Sequence, residues 1–128
     1  MFGGYMKNSV VASIDWDPAA DDHIPLWVAP LACEITGAKV VVTNDVAAHT
    51  ANYFDLALYN GGTAGTALTA VAGTIGGTAG WTGLSPTAFT ISNGSVAAGE
   101  LVKLHYNEEG TGTFASMVVQ LDYVFGEG

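Results

Sequence analysis

Hydrophobic and polar residues alternate with a period of two along much of this 128-residue chain. That period is typical of β-strands that bury one face and expose the other. No segment has the spacing of an amphipathic helix, so the pattern predicts an all-β protein. The alternation is clearest in residues 113–125, where one face holds Ala115, Met117, Val119, Leu121, Tyr123 and Phe125 and the other holds Ser116, Gln120 and Asp122.

Other segments repeat this alternation between turns that contain glycine, proline, asparagine or aspartate. In residues 9–16 the predicted inward face holds Val10, Ala12, Ile14 and Trp16. Seven or eight short strands at such spacing favour an antiparallel β-sandwich, with a barrel as the alternative. The remaining predicted strands lie in residues 31–43 with a break at Gly37, and in residues 52–59, 88–91 and 101–106.

The length predicts one domain, which we place at residues 9–128, preceded by an N-terminal arm of residues 1–8. Within the domain, residues 60–83 consist largely of Gly, Thr and Ala, and predict a long loop with at most one weak strand. A phosphate-binding loop is disfavoured here, because no Gly-Lys-Ser/Thr sequence ends the segment.

The charge balance excludes several kinds of partner. The chain has 12 acidic residues, three lysines, no arginine and a net charge of −9. Phosphate backbones and anionic membrane surfaces are bound through Lys and Arg, so neither nucleic acid nor a membrane is an expected partner. Only 12% of the residues are charged, against about 25% in an average domain. A surface with so few charges suits close packing against other proteins.

The sequence predicts neither secretion nor a membrane span. The N-terminus lacks the apolar stretch and small-residue cleavage site of a signal peptide, and no apolar run reaches the ~18 residues of a transmembrane helix. Cys33 is the single cysteine and lies in an apolar stretch. We therefore expect it to be a buried, unreactive side chain.

An acidic segment at residues 15–23 is the strongest of the weak metal candidates. Asp15, Asp17, Asp21 and Asp22 could offer oxygen ligands to Ca²⁺, but Gly is absent from the sixth position of an EF-hand loop and Glu from the twelfth. Because Pro18 follows Asp17, a solvated turn is the favoured interpretation.

The histidines show no zinc-binding spacing. His23, His49 and His105 are far apart in sequence, and only convergence in the fold could bring them together. His49 is expected to bond locally, and His105 to point outward from its strand. No Gly-x-Ser-x-Gly motif is present. The sequence therefore predicts no catalytic site, no cofactor and no enzymatic activity.

Apolar residues at two places are the candidates for contact with a partner. Phe2, Tyr5 and Met6 flank two glycines in the arm, which could join a neighbour's sheet edge or groove, form a strand of its own domain, or be a disordered tail. Trp81, within the Gly/Thr/Ala-rich segment, is expected to be exposed. An exposed tryptophan could contact a partner protein or stack on a sugar ring, although most aromatic residues of a small sandwich lie in its core.

Three stretches resemble small virion proteins of tailed bacteriophages that accompany the major capsid protein. They are residues 47–62, where Asn52-Tyr53 opens a strand, residues 96–106, with the turn Ala97-Ala-Gly-Glu100, and residues 109–123, with a Gly-Thr-Gly turn before the last strand. The resemblance extends over about residues 8–125 and consists of turn and strand patterns rather than chemical signatures.

The resemblance implies a β-sandwich or jelly-roll decoration (cement) protein, often a homotrimer, on the outside of the capsid. Its partners would be the major capsid protein and further copies of itself, and it would be located in the virion after assembly in the host cytoplasm. A tail, neck or fibre module is the alternative within the structural class. A carbohydrate-binding module is the alternative outside it.

Overall fold

The structure is a computed structural model that describes residues 7–60, 69–70, 75–76, 80–110 and 116–125. These residues contain ten β-strands and no helix. Six strands have eight to ten residues: β1 (Lys7–Ile14), β2 (Asp21–Val28), β3 (Cys33–Val42), β4 (Tyr53–Asn60), β9 (Leu101–Glu109) and β10 (Met117–Phe125). Four have two residues: β5 (Thr69–Ala70), β6 (Ile75–Gly76), β7 (Thr87–Ala88) and β8 (Ser95–Val96).

The strands form two antiparallel sheets. The first has the order β1-β10-β3, with β7 and β8 pairing with different parts of β3. The second has the order β2-β9-β4, with β5 and β6 pairing with different parts of β4. Strands β1 to β4 alternate between the sheets, and β9 and β10 return between them, which is the connectivity of a jelly roll. The predicted all-β, jelly-roll-like sandwich is confirmed. The short strands β5 and β6 share one edge position and β7 and β8 share another, so the two sheets have eight strand positions in total.

The predicted alternation places the core between the sheets. The side chains at every second position of β4, β9 and β10 are almost completely buried there: Phe54, Leu56, Leu58, Val102, Leu104, Tyr106, Met117, Val119 and Leu121. Cys33 is also buried, as predicted, and burial raises the pKa of its thiol. Burying each large apolar side chain contributes about 1.5–3 kcal/mol, so these faces are the main source of stability.

Residues 21–28 form a strand that the sequence analysis missed. The acidic segment was predicted to be a turn, but Asp21 and Asp22 open β2, and only Asp15 and Asp17 lie in the preceding loop. Proline lacks the N–H that a central strand needs, and Pro25 is tolerated because β2 is an edge strand. A register shift between Pro25 and Trp27 also interrupts the alternation.

The first strand is shorter than predicted. β1 ends at Ile14, which is 1% exposed, and the chain then turns through residues 15–20 toward β2. Trp16 therefore lies outside the strand and is 49% exposed, so its predicted place on the inward face is wrong.

The predicted break at Gly37 is a bulge within a continuous β3. Gly37 pairs with Asp122 and Ile35 pairs with Tyr123, which leaves Thr36 as the extra residue. A Cβ at position 37 would lie 3.3 Å from the Asp122 carboxylate, a tight contact that glycine avoids.

Candidate functional site

Polar side chains that could bind a ligand meet on the outer face of the second sheet. The outward positions form rows across β2, β9 and β4, in which His23 is opposite His105, and His105 is opposite Ala57. Asp21 lies one row away, opposite Asn107, which is itself opposite Asp55. We call Asp21, His23 and His105 the Asp-His-His cluster.

The two histidines of this cluster are stacked. Their ring centroids are 4.5 Å apart and the ring planes differ by 13°. Pro25 pairs with Lys103 and cannot donate a ladder hydrogen bond, which favours a non-hydrogen-bonded pair there. Opposed residues alternate between hydrogen-bonded and non-hydrogen-bonded pairs, so the His23–His105 pair, two residues along, is also non-hydrogen-bonded. Side chains in non-hydrogen-bonded pairs approach each other most closely. The register of the edge strand thus brings the imidazoles together.

Asp21 and His105 are joined by a short hydrogen bond. His105 Nε2 donates to Asp21 Oδ1 at 2.6 Å, because an ionised carboxylate can only accept. This hydrogen bond, followed by the charge of His105, lowers the pKa of Asp21 below its usual value. Burial, followed by the positive charge of Lys103, lowers the pKa of His23. The cluster therefore combines an ionised carboxylate with a His23 that favours its neutral form.

The surroundings of the cluster are partly closed. Lys103, in the next row of β9, is only 3% exposed. On the other side of His105, a shallow cavity of about 200 Å³ is lined by Asp55, Tyr59 and Asn107 among others. Burial, followed by the charge of Glu109, raises the pKa of Asp55. The outer face of the second sheet is thus a polar surface that is exposed along β2 and partly covered along β9 and β4.

Only some of the predicted site residues lie in the part of the chain that the structure describes. Phe2, Tyr5 and Met6 lie outside the described residues, as does most of segment 60–83. Asp21 and Asp22 are neighbours on a strand, so their side chains point to opposite faces and do not form an acidic cluster. Two of the three histidines do converge, which the sequence spacing did not indicate.

His49 has the local role that was predicted. Its Nδ1 accepts hydrogen bonds from the backbone N–H groups of Ala51 at 3.0 Å and Asn52 at 2.9 Å. These bonds order the loop just before β4. His49 is therefore separate from the Asp-His-His cluster.

The prediction that Trp81 is exposed is wrong. The residue is 7% exposed and its ring stacks on Phe54, with centroids 5.2 Å apart. Two backbone hydrogen bonds with Val46, each 2.9 Å long, hold it in place. A side chain so buried offers little surface to a capsid or to a sugar ring, and Trp16 is the most exposed tryptophan.

The outer face of the first sheet carries a different polar group, centred on Asp122. Ser9 Oγ donates to Asp122 Oδ1 at 2.7 Å, and Gln120 Nε2 donates to the same oxygen at 2.9 Å. These two hydrogen bonds, in that order, lower the pKa of Asp122, and the charge of Lys39 acts in the same direction. The bond from Ser9 ties β1 to β10 at the sheet edge, and the bond from Gln120 lies within β10.

We expect the Asp122 carboxylate to make stability depend on pH in acid. Its pKa is lower in the folded state, so its contribution is complete above the unfolded value near 3.8 and is lost as pH falls through the folded value. Asp122→Asn should therefore be less stable than the wild type at pH 6, by about 1 kcal/mol or less because the group is near the solvent. In urea unfolding, this difference should shrink toward pH 2.5 and should already be smaller in a Ser9→Ala background. A difference that is independent of pH would contradict this.

Comparison with known proteins gives likeness in structure only. No family model matches the chain, and no curated protein matches it. A chain of the capsid of Ralstonia phage GP4 is 20% identical, with a TM-score of 0.63, over 98% of this chain and 87% of that one. A chain of the capsid asymmetric unit of cyanophage Pam1 is 15% identical, with a TM-score of 0.58, over 98% of this chain and 89% of that one.

A third similar structure places the fold inside a longer chain. A chain of infectious bursal disease virus, Gx strain, is 16% identical with a TM-score of 0.52, and the match covers 97% of this chain but 33% of that one. Among the described residues, none forms a helix of the length and apolarity that crossing a bilayer requires. The three likenesses establish that this chain has the jelly-roll-like sandwich found in phage and viral capsid structures.

Proposed function

We propose that this chain is a non-catalytic structural protein of a tailed-phage particle that decorates the capsid exterior and stabilises neighbouring capsid subunits. The observation that carries the proposal is the likeness over nearly the whole chain to two phage capsid chains of similar length, since 87% and 89% of those chains are covered. In both, the fold makes up most of a small chain.

The charge distribution fits a protein that packs against other proteins. Of the three lysines, Lys103 is buried and Lys7 and Lys39 are exposed, whereas the whole chain has twelve acidic residues. Such a surface repels nucleic acid and favours neutral or basic protein surfaces. The partners we propose are the major capsid protein and further copies of this chain in a homotrimer.

Selective binding would supply the stabilisation. A protein that binds the mature lattice and not its precursor stabilises the lattice by its binding free energy. Three copies joined by closed symmetry would add their contacts through avidity, so each contact can be weak. No catalytic chemistry is needed for this role.

The arm is the proposed contact element. Lys7 and Asn8, which the sequence placed in the arm, are the first residues of β1, the edge strand of the first sheet. The arm that we propose as a contact is therefore residues 1–6, which precede this edge strand in the sequence. Among the described residues, no strand pairs with the other side of β1. An apolar segment at this position, with Phe2, Tyr5 and Met6, is suited to reach a neighbouring subunit.

The copy number of the chain in purified particles tests this function. We expect hundreds of copies, close to one per major capsid protein, in quantitative mass spectrometry. A few to a few tens of copies would contradict decoration and support a tail, neck or fibre module. Absence from the particle would overturn the virion role altogether.

A further inference from the structure

The Asp-His-His cluster brings three metal-ligating side chains together from two strands. One ligand atom of each residue lies within 4.8 Å of the other two. The cluster does not belong to the core, and the proposed capsid role does not use it. All three side chains are on the outer face of the second sheet, where β2 and β9 pair in register.

We propose that Asp21, His23 and His105 bind one divalent transition-metal ion of the zinc(II) class on the outer face of the second sheet. Two imidazoles and one carboxylate are a recurrent zinc ligand set, with a fourth position left open for water or a neighbouring molecule. The proposal stands independently of the virion function.

The geometry needs only small side-chain shifts, because the three ligand atoms lie within 4.8 Å of one another. Bonds of about 2.0–2.1 Å in a tetrahedral site place ligand atoms about 3.3 Å apart. Asp21 Oδ1 and His105 Nε2 are already 2.6 Å apart, joined by the proton that the metal would replace. The side chain of Asp21 is 72% exposed and that of His105 is 25% exposed, so the carboxylate can move to admit the ion while the imidazole keeps its place on the sheet.

The backbone already holds the ligands in place. Asp21 and His23 are separated by one residue on β2, so both point outward, and His105 is the cross-strand partner of His23. The two imidazoles are stacked with 13° between their planes, so their nitrogen lone pairs lie in nearly parallel planes, and the exposed His23 ring has to rotate out of the stack for both rings to hold one ion. Binding therefore requires side-chain rotation and no refolding of the strands.

The chemistry of the ligands sets the class of ion. Imidazole nitrogen favours Zn²⁺, Cu²⁺ and Ni²⁺, whereas Ca²⁺ takes six to eight oxygen ligands. The charge of Asp21, with Asp55 one strand beyond Asn107 in the same row, offsets the nearby Lys103. The net charge of −9 also favours a bound cation.

Calorimetric titration with Zn²⁺ tests the site. The full chain, produced without a histidine tag and freed of metal with a chelator, should bind one equivalent of Zn²⁺ and unfold at a higher temperature when loaded. His105→Gln and Asp21→Asn should each weaken binding by more than about tenfold. His49→Gln, which removes the one remaining histidine, should bind as the wild type does. Co²⁺ in place of Zn²⁺ should give the visible absorption bands of a tetrahedral site.

Four results would overturn the proposal. They are the absence of saturable binding, unchanged affinity in both cluster variants, an equal loss of affinity in His49→Gln, and displacement of Zn²⁺ by equimolar Ca²⁺. Circular dichroism of each variant establishes that it is folded before it is titrated. Because these ligands lie on an exposed face, we expect every variant to fold.

Discussion

Replacing Phe54 with alanine is expected to lower the free energy of unfolding by about 3–5 kcal/mol. Phe54 is 0% exposed, and its ring lies 5.2 Å from that of Trp81 and 5.3 Å from that of Tyr106. The alanine variant would leave a cavity between two aromatic residues that β9 and the backbone bonds of Val46 hold in place. Since a domain has about 5–15 kcal/mol of stability in total, the loss is measurable by equilibrium urea unfolding.

The neighbouring Tyr53 supplies the matched control. It is an aromatic residue on the same strand, half-buried on the opposite face of β4. Tyr53→Ala should cost far less than Phe54→Ala, because its side chain is partly hydrated before unfolding. Equal losses in the two variants would mean that the stacked aromatic residues are not the centre of the core.

The strands with strict alternation were predictable because nothing interrupts their period. The strands predicted in residues 52–59 and 101–106 are β4 and β9, and in β10 every apolar position predicted to face inward is buried or half-buried. β2 was not predictable in the same way, since its first residues are acidic, and Pro25 and a register shift follow. Pattern analysis identifies central strands more readily than an irregular edge strand.

The Asp-His-His cluster could not be predicted from the composition of the chain. His23 and His105 are 82 residues apart in sequence, and only the pairing of β2 with β9 makes them neighbours. The Asp-x-His spacing of residues 21–23 would have placed two ligands on one face, had β2 been recognised as a strand. Cross-strand register depends on both partners, so one strand's pattern does not determine it.

The burial of Trp81 differs from the exposure that the composition of its segment predicts. Glycine-rich surroundings predict a solvated loop, but the backbone of residue 81 pairs with Val46 and the ring covers Phe54. The apolar area of an indole favours burial wherever the chain can return to the core. The partner contacts that we propose therefore rest on the arm rather than on Trp81.

Deleting residues 1–6 is expected to abolish particle binding while leaving the fold intact. The described core residues lie between Ile14 and Leu121, so unfolding should occur at nearly the same temperature in the truncated chain. If each arm contributes about 1.4 kcal/mol of binding free energy, its loss lowers the affinity about tenfold per copy. A trimer that loses three arms then binds about a thousandfold more weakly. Co-sedimentation with expanded capsids that lack the protein measures this loss.

Two variants separate an arm contact from other causes. Replacing Phe2, Tyr5 and Met6 with serine keeps the length of the arm and removes its apolar groups, and should match the deletion. Trp16→Ala removes an exposed aromatic residue elsewhere on the surface and should leave binding unchanged. If the truncated chain unfolds at a clearly lower temperature, the arm belongs to its own domain. If binding survives both arm variants, another surface meets the capsid. A loss of binding at constant thermal stability is the result that only an intermolecular arm explains.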